Sequence, residues 1–426
     1  MRLVRLAFLS WLLLAAGCRD ADRAPAVVAS GSPAASTIGS SAALEEPAAI
    51  APDEEPPPPP APTPPAKPPL SEVELAAFFA TPSAKITAEV FETTLLRLAT
   101  CKIEPGWVNS CPAYGDLMKV VQRYKGGEGF PSELALRHLR HPVYAVRGSA
   151  VSFASPYAFE GGAERAQLYL DAMRSETDAE VLKSLVRYSG PGAANNAAIR
   201  RFVLRSLVHA DESVRINALD VVARPDVAAQ VPDVFDRIAF ATRANHSRLE
   251  RVAACAHMGK LDDARAVPLL ASLLADDALP RDVRGACFEG LVGTWTRRPA
   301  PSKPSREGYE LTMRILTAKP RSTVTPHERG VRALASAGTA SSKWSESVRS
   351  FYDVRAVSSA LALIVLDDDA AQPARSAAGV TLVELDQKEM VETTIKDLKK
   401  QGSPVALQLA DEISKKLVRG PFDLRF

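Results

Sequence analysis

A helical motif that returns at a nearly fixed interval is the feature that most constrains the fold of this chain. In its fullest form a valine is followed by arginine and then by small residues, as in Val146-Arg147-Gly148-Ser149-Ala150. The first position of successive copies is Val146, Val181, Val214, Glu250 and Val283, at intervals of 35, 33, 36 and 33 residues. A regular spacing of this length is typical of proteins built from stacked supersecondary units.

The clearest copy spans residues 251–277 and resembles a HEAT repeat of the short bacterial type found in phycobilisome lyases. Its first helix reads Arg251-Val252-Ala253-Ala254, its turn reads Asp263-Ala264-Arg265-Ala266-Val267-Pro268, and its second helix is rich in leucine. Other copies contain Val214-Arg215, Val283-Arg284 and Ala374-Arg375. The resemblance implies an all-α chain in which residues 71–426 form an α-solenoid of HEAT-like helical hairpins. A generic all-α domain with alanine-rich helices is the alternative.

Each part of the motif has a physical reason. An aspartate before the first helix, such as Asp211 or Asp282, can accept the free N–H groups of the first turn. Small alanines let neighbouring helices approach closely. Pro268 fits the start of a helix, and the leucines at 269, 270, 273 and 274 are predicted to form a buried stripe. Because one hairpin cannot bury this stripe, several units must be contiguous.

The first residues of the chain have the order of a secretory signal. Arg2 and Arg5 precede an apolar run, Leu6 to Ala16, that is too short to span a bilayer. The ending Ala15-Ala16-Gly17-Cys18 resembles the lipobox of bacterial lipoproteins, which implies cleavage before Cys18 and a lipid on it. We therefore expect a lipoprotein signal peptide at 1–17. An ordinary cleaved signal, with Cys18 incidental, is the alternative.

The segment 18–70, which begins with the lipidated cysteine, lacks the apolar residues that a core requires. Fourteen of the 33 prolines lie between Arg19 and Leu70, and they include the run Pro56 to Pro60. We predict a disordered Ala/Pro-rich linker that holds the helical region away from the membrane. Arg19 after the cysteine resembles the pattern of outer-membrane lipoproteins. The expected location is the bacterial cell envelope, lipid-anchored at the outer membrane, on its periplasmic face or at the cell surface.

The charge of the chain gives no sign of a nucleic-acid partner. The sequence contains 52 basic and 50 acidic residues, with a net charge of +2. Basic residues are dispersed and form no patch that would bind phosphates. We therefore expect a protein or peptide partner, and a membrane contact only through the lipid on Cys18.

Four cysteines remain after Cys18. Cys101 and Cys111 flank Pro105-Gly106-Trp107, and in an oxidising compartment they are a natural disulfide, with a metal site as the alternative. Cys255 and Cys287 fall at similar places in successive repeats. Because packed helices lie about 8–10 Å apart, we expect these two to be small buried apolar residues that cannot bond, with a redox role as the alternative.

A solenoid offers a long concave surface lined by one helix of each pair. Second helices are predicted at 164–174, 200–209, 232–243, 268–275 and 352–366. Their outward polar residues are the candidate partner-binding residues: Arg165, Gln167, Arg205, Asp236, Arg237 and Ser272. The main hypothesis is a non-enzymatic scaffold, without cofactor or metal, and a purely structural role in the envelope is a weaker possibility.

An enzyme with a site assembled from distant residues is the rival hypothesis. His138 and His141 are three residues apart, so they can share a helix face and hold a metal, with Glu133 as the only acid within a turn. The sequence has neither a nucleophile elbow nor a phosphate-binding loop. Di-iron hydroxylases of the HEAT class carry several His-Glu pairs, whereas this chain has one, His327-Glu328.

Overall fold

The computed structural model of the protein describes residues 68–101, 111–124, 130–160, 162–296, 303–319, 327–340, 350–385 and 387–419. Within these ranges the secondary structure consists of 22 α-helices and one 3-10 helix, with no strand. The predicted all-α class is confirmed for this part of the chain. The predicted signal, Cys18 and the linker up to residue 67 lie outside the described residues.

The helices follow one another with short connections. The first twelve are α1 (Glu72–Ala80), α2 (Ala88–Leu96), α3 (Pro112–Arg123), α4 (Phe130–Arg137), α5 (Tyr144–Glu160), α6 (Ala163–Ser175), α7 (Ala179–Tyr188), α8 (Gly190–Asn195), α9 (Ala197–Ser206), α10 (Glu212–Val222), α11 (Pro225–Ala228) and α12 (Val234–Phe240). The next ten are α13 (Arg248–Met258), α14 (Ala266–Ala275), α15 (Arg281–Thr296), α16 (Arg306–Thr317), α17 (Glu328–Ala333), α18 (Ala335–Ala340), α19 (Val354–Leu366), α20 (Gln372–Glu384), α21 (Lys388–Gln401) and α22 (Pro404–Arg419). The five predicted second helices correspond to α6, α9, α12, α14 and α19.

The six helices that carry the repeated motif, together with α17, pack against one another in chain order. We call α5, α7, α10, α13, α15, α17 and α20 the first-helix layer, because each member contacts the next. The second helices α6, α9, α12, α14, α16 and α19 each contact a neighbouring member of this layer. Among the described helices, contacts between successive second helices are sparser than contacts within the first-helix layer.

In two copies of the motif the arginine joins one unit to the next. Arg147 in α5 donates to both carboxylate oxygens of Glu176, and Arg215 in α10 does the same to Glu250. Each guanidinium also donates to two carbonyl groups in the turn before its own helix. These arginines therefore have a structural role in the connection between units.

The predicted aspartate caps are present at some helices and absent at one. Asp178 and Asp211 accept backbone N–H groups from the first turns of α7 and α10. Asp282 differs from the prediction, because α15 already begins at Arg281 and the Asp282 carboxylate pairs with Arg248 of α13, 2.7 Å away. In α13 the cap is Ser247, which forms a capping box with Glu250.

The leucine stripe of α14 is less buried than predicted. Leu270 is fully buried, whereas Leu269, Leu273 and Leu274 are only half-buried against the core. The sequence pattern marks the face that packs, but it does not show how far the neighbouring helix covers it. At the other end of the described region, α22 buries Leu409 and Ile413 and leaves Gln408 and Asp411 exposed.

Cys255 and Cys287 lie closer together than the sequence-based prediction of helix spacing allows. Both are fully buried, as predicted, but their Sγ atoms lie only 2.6 Å apart. The reason is that α13 and α15 approach closely through glycine: a Cβ on Gly259 would lie 2.0 Å from the carbonyl oxygen of Gly290. The helix spacing assumed for ordinary side chains does not hold at such a contact.

Candidate functional site

A groove of about 360 Å³ opens on the first-helix layer. It is lined by Ile216, Leu249, Val252, Ala253, Ala256, His257, Lys260, Glu289 and Arg329. These residues come from α10, from α13 and the turn after it, and from α15 and α17. We call this feature the first-helix groove.

The spacing of residues along α13 explains the floor of the groove. Leu249, Val252, Ala253 and Ala256 recur at three or four residues, so they share one helix face. On another face Cys255 is fully buried in the core. On the groove side Leu249 is 56% exposed, whereas Val252 and Ala256 are half-buried and Ala253 is buried.

Charged residues form the rim of the first-helix groove in pairs that cross between helices. Asp220 of α10 accepts a hydrogen bond from Lys260 at 2.7 Å, and its carboxylate lies 3.6 Å from Nε2 of His257. At the opposite side, Glu289 of α15 pairs with Arg329 of α17. The rim therefore carries both signs of charge, and these ions already have protein partners.

Burial and neighbouring charges together set the protonation states of His257 and Asp220 at this rim. Burial, followed by the nearby ammonium of Lys260, lowers the pKa of His257 to about 4, although Asp220 acts in the opposite direction. Burial acts to raise the pKa of Asp220, but His257 and Lys260 outweigh it and the pKa is lowered. At neutral pH the imidazole is thus uncharged and the carboxylate is ionised.

The groove combines an apolar floor with charged side chains at its rim. Its floor is hydrocarbon, and its lining residues include no Ser, Cys or Thr that a neighbouring base could activate. Among the described residues, no group of three or more His, Cys, Asp or Glu side chains is placed to hold a metal ion. An apolar side chain of another molecule could pack against the apolar floor, while the paired ions at the rim stayed in contact with solvent.

The six predicted partner-binding residues lie outside this groove. Two of them lie over aromatic rings: Arg165 is 3.7 Å from the ring of Tyr157, and Arg205 is 5.9 Å from the ring of Phe202. Two form ion pairs, Asp236 with Arg265 and Arg237 with Asp233. The other two donate hydrogen bonds, Gln167 to Asp171 and Ser272 to the carbonyl of Leu269. They are distributed over α6, α9, α12 and α14.

The two candidate metal-binding histidines are arranged differently from the prediction. α4 ends at Arg137, so His138 and His141 lie in the following turn and do not share a helix face. His138 Nε2 lies 2.9 Å from Glu92 of α2, and His141 Nδ1 accepts the N–H of Val143. Glu133 pairs with Arg137. The acid beside His138 comes from 46 residues earlier, which no local pattern in the sequence indicates.

Cys101 and Cys111 are joined in a disulfide, with their Cα atoms 5.6 Å apart. Cys101 follows the 3-10 helix at 97–100 and Cys111 precedes α3, so the bond connects the ends of these two elements. The intervening residues 102–110 lie outside the described ranges. This pair is remote in sequence from the first-helix groove.

The apolar outer face of α13 is the signal that sequence reasoning missed. The residues at 249, 252, 253 and 256 follow the same helical spacing as a buried stripe, and the helix has a second such stripe on its core side. A helix with two apolar faces is a sign of either deep burial or an outer binding surface.

Comparison with protein-family models and with curated proteins finds no match to this chain. The helices within the part that the structure describes include none that is both long enough and apolar enough to cross a bilayer.

Proposed function

We propose that residues 71–426 form a HEAT-like α-solenoid that serves as a non-enzymatic binding scaffold, held at a bacterial envelope by a lipid on Cys18. The proposed partner is a segment of another protein that inserts a large apolar side chain into the first-helix groove. The order of first and second helices supports the solenoid arrangement, because each unit buries its apolar residues against the next. The signal-like start of the sequence supports the location.

The apolar floor of the groove is the observation that carries the proposal. Leu249 is half-exposed beside Ile216 and Val252, in a depression large enough for one or two large apolar side chains. The rim ions are already paired across helices, as Asp220 is with Lys260. A strongly charged partner would have to break these pairs, whereas an apolar side chain would not. Burial of such a side chain contributes about 1.5–3 kcal/mol.

Site-specific photo-crosslinking in intact cells tests the groove. A photoreactive residue in place of Leu249 is expected to capture a partner segment that contains an aromatic or large aliphatic residue. The matched control is Val208, which is 82% exposed and lies in the turn after the second helix α9. Equal capture at both positions, or capture at Val208 alone, would contradict the proposal.

A substitution gives the complementary test. Leu249→Asp places a charge on the floor while its side chain remains half in solvent, so the fold should persist. Affinity for the captured segment should fall about tenfold or more, since an apolar contact near the centre of the groove is lost. Val208→Asp should leave the affinity unchanged.

The proposed anchor has its own experiment. Cells that express the wild type and the Cys18→Ser variant are supplied with labelled palmitate, and the protein is then fractionated. The wild type is expected to carry label and to sediment with membranes, and the variant is expected to do neither. Equal labelling of the two proteins would reject the lipid on Cys18 and leave the groove proposal intact.

A further inference from the structure

The contact between α13 and α15 brings two thiols together beneath the first-helix groove. Cys255 lies in α13, in the same turn as the groove residues Val252 and Ala256, but on the core side of the helix. Cys287 lies in α15, two residues before the rim residue Glu289. Both cysteines are fully buried.

The backbones of the two helices touch at glycine. A Cβ on Gly290 would lie 2.2 Å from the carbonyl oxygen of Cys255, and a Cβ on Gly259 would lie 2.0 Å from the carbonyl oxygen of Gly290. Only glycine permits this approach. Since the helices are held this close over a full turn, the two cysteines cannot separate without disrupting the layer.

The distance between the sulfurs points to a bond. The Sγ atoms lie 2.6 Å apart, which is closer than two unbonded sulfur atoms can pack, although it is longer than the roughly 2.05 Å of a disulfide. No other cysteine among the described residues is free. The pair is also separated by 32 residues, about one repeat, so the bond would join successive units.

We propose that Cys255 and Cys287 form a second disulfide, which cross-links two successive members of the first-helix layer beneath the groove. The bond forms by thiol–disulfide exchange with a protein or small-molecule disulfide of an oxidising compartment. One cysteine thiolate attacks a sulfur of that disulfide and releases a thiol, and the second cysteine then displaces the other thiol. The chain loses two protons and two electrons, and the donor disulfide takes up both.

The exchange takes place before the core closes. Both sulfurs are excluded from solvent in the folded chain, so a donor disulfide cannot reach them. The same shielding protects the bond from reduction afterwards.

Disulfide mapping of the full-length protein, taken from its own cells, tests the proposal. Cells are quenched with an alkylating reagent during lysis, and the denatured protein is digested with trypsin. The expected product is one species that joins peptide 252–260 to peptide 285–297 and separates on reduction. The Cys101–Cys111 pair serves as an internal reference for the handling of the sample.

Recovery of Cys255 and Cys287 as alkylated thiols in a sample whose Cys101–Cys111 bond is intact would overturn the proposal. A second measurement compares thermal unfolding of the wild type and of the Cys255→Ala/Cys287→Ala double variant, each before and after reduction in denaturant and refolding with reductant present, because the buried bond is shielded in the folded chain. Reduction should lower the midpoint of the wild type by more than that of the double variant. Equal shifts would contradict the cross-link, and the peptide map decides the question even if the double variant does not fold.

Discussion

At the scale of the residue, Arg215 shows how an arginine of the motif can connect two units. Its guanidinium forms a two-pronged ion pair with Glu250, whose side chain is 3% exposed, and it also closes the turn before its own helix. Burial acts to raise the pKa of Glu250, but the hydrogen bonds from Arg215 and Ser247 outweigh it and lower that pKa to about 2. The pair therefore depends on both partners being present.

Replacement of Arg215 by alanine should destabilise the protein by about 3–5 kcal/mol, because it leaves a buried carboxylate without its partner. The measurement is urea unfolding at pH 7. The control is Arg265→Ala, which removes an ion pair whose arginine side chain is 55% exposed, and it should cost no more than about 1 kcal/mol. Similar losses in the two variants would show that Arg215 is not a structural link.

The buried imidazole of His257 should make stability depend on pH. Its pKa is about 4 in the folded chain and 6.5 when unperturbed, so the unfolded chain binds more protons between these values. Stability is therefore fully present above pH 6.5 and is lost as the pH falls toward 4, by up to about 3 kcal/mol. Asp220, Lys260 and Arg329 are the charged groups that act on this imidazole.

Chemical denaturation of the wild type and of His257→Gln between pH 4 and 7 measures this contribution. The neutral glutamine cannot titrate, so the stability of the variant should fall less steeply with acidification. Parallel curves for the two proteins would contradict the assignment, since the remaining carboxylates titrate in both.

At the scale of the element, the first-helix layer depends on glycine where α13 meets α15. Gly290→Ala should destabilise the protein by more than about 2 kcal/mol, because the added methyl group would meet the backbone oxygen of Cys255. The control is Gly148→Ala in α5 of the same layer, where a Cβ would lie 3.6 Å from Val181. That change should be neutral or stabilising by about 0.5–1 kcal/mol, and thermal unfolding of both variants makes the comparison. If Gly290→Ala were as well tolerated, the close contact would be disproved.

The sequence predicts elements better than it predicts the contacts between them. The spacing of Val-Arg copies places helices at the right positions, and Asp211 caps α10 as its pattern indicates. Local patterns depend on the backbone hydrogen bonds of a few neighbouring residues, which the sequence shows directly. The Gly259–Gly290 approach and the His138–Glu92 pair depend on which helices meet, and that information is spread over many residues.

The first-helix groove illustrates the same limit. Sequence reasoning placed the binding residues on second helices, because a repeat pattern does not specify which layer leaves a depression. The groove needs side chains from four helices, and its lining runs from Ile216 to Arg329. Only the outer apolar face of α13 is visible in a single segment.

At the scale of the whole molecule, the proposed solenoid differs from a single compact core in how it loses stability. In a solenoid each unit is stabilised by its neighbours, so damage at one end spreads only a short distance. In a compact core every element shares the same contacts, and damage at one end weakens the whole. The C-terminal helix α22 offers a way to tell these cases apart, since it buries Leu409 and Ile413 and packs against α20 and α21.

A chain that ends after Gln401 lacks α22 and should show a graded loss of amide protection. Hydrogen exchange measured by mass spectrometry is expected to rise strongly in α20 and α21, which lose their partner, and to change little in α5, α7 and α10. The matched control is Leu409→Ala in the full chain, which should weaken the same two helices to a smaller extent through the loss of one buried side chain. A uniform rise across α5 to α21 would indicate one cooperative core and would contradict the solenoid. Protection that persists at the first-helix groove in the shortened chain would also show that the groove stays folded without α22.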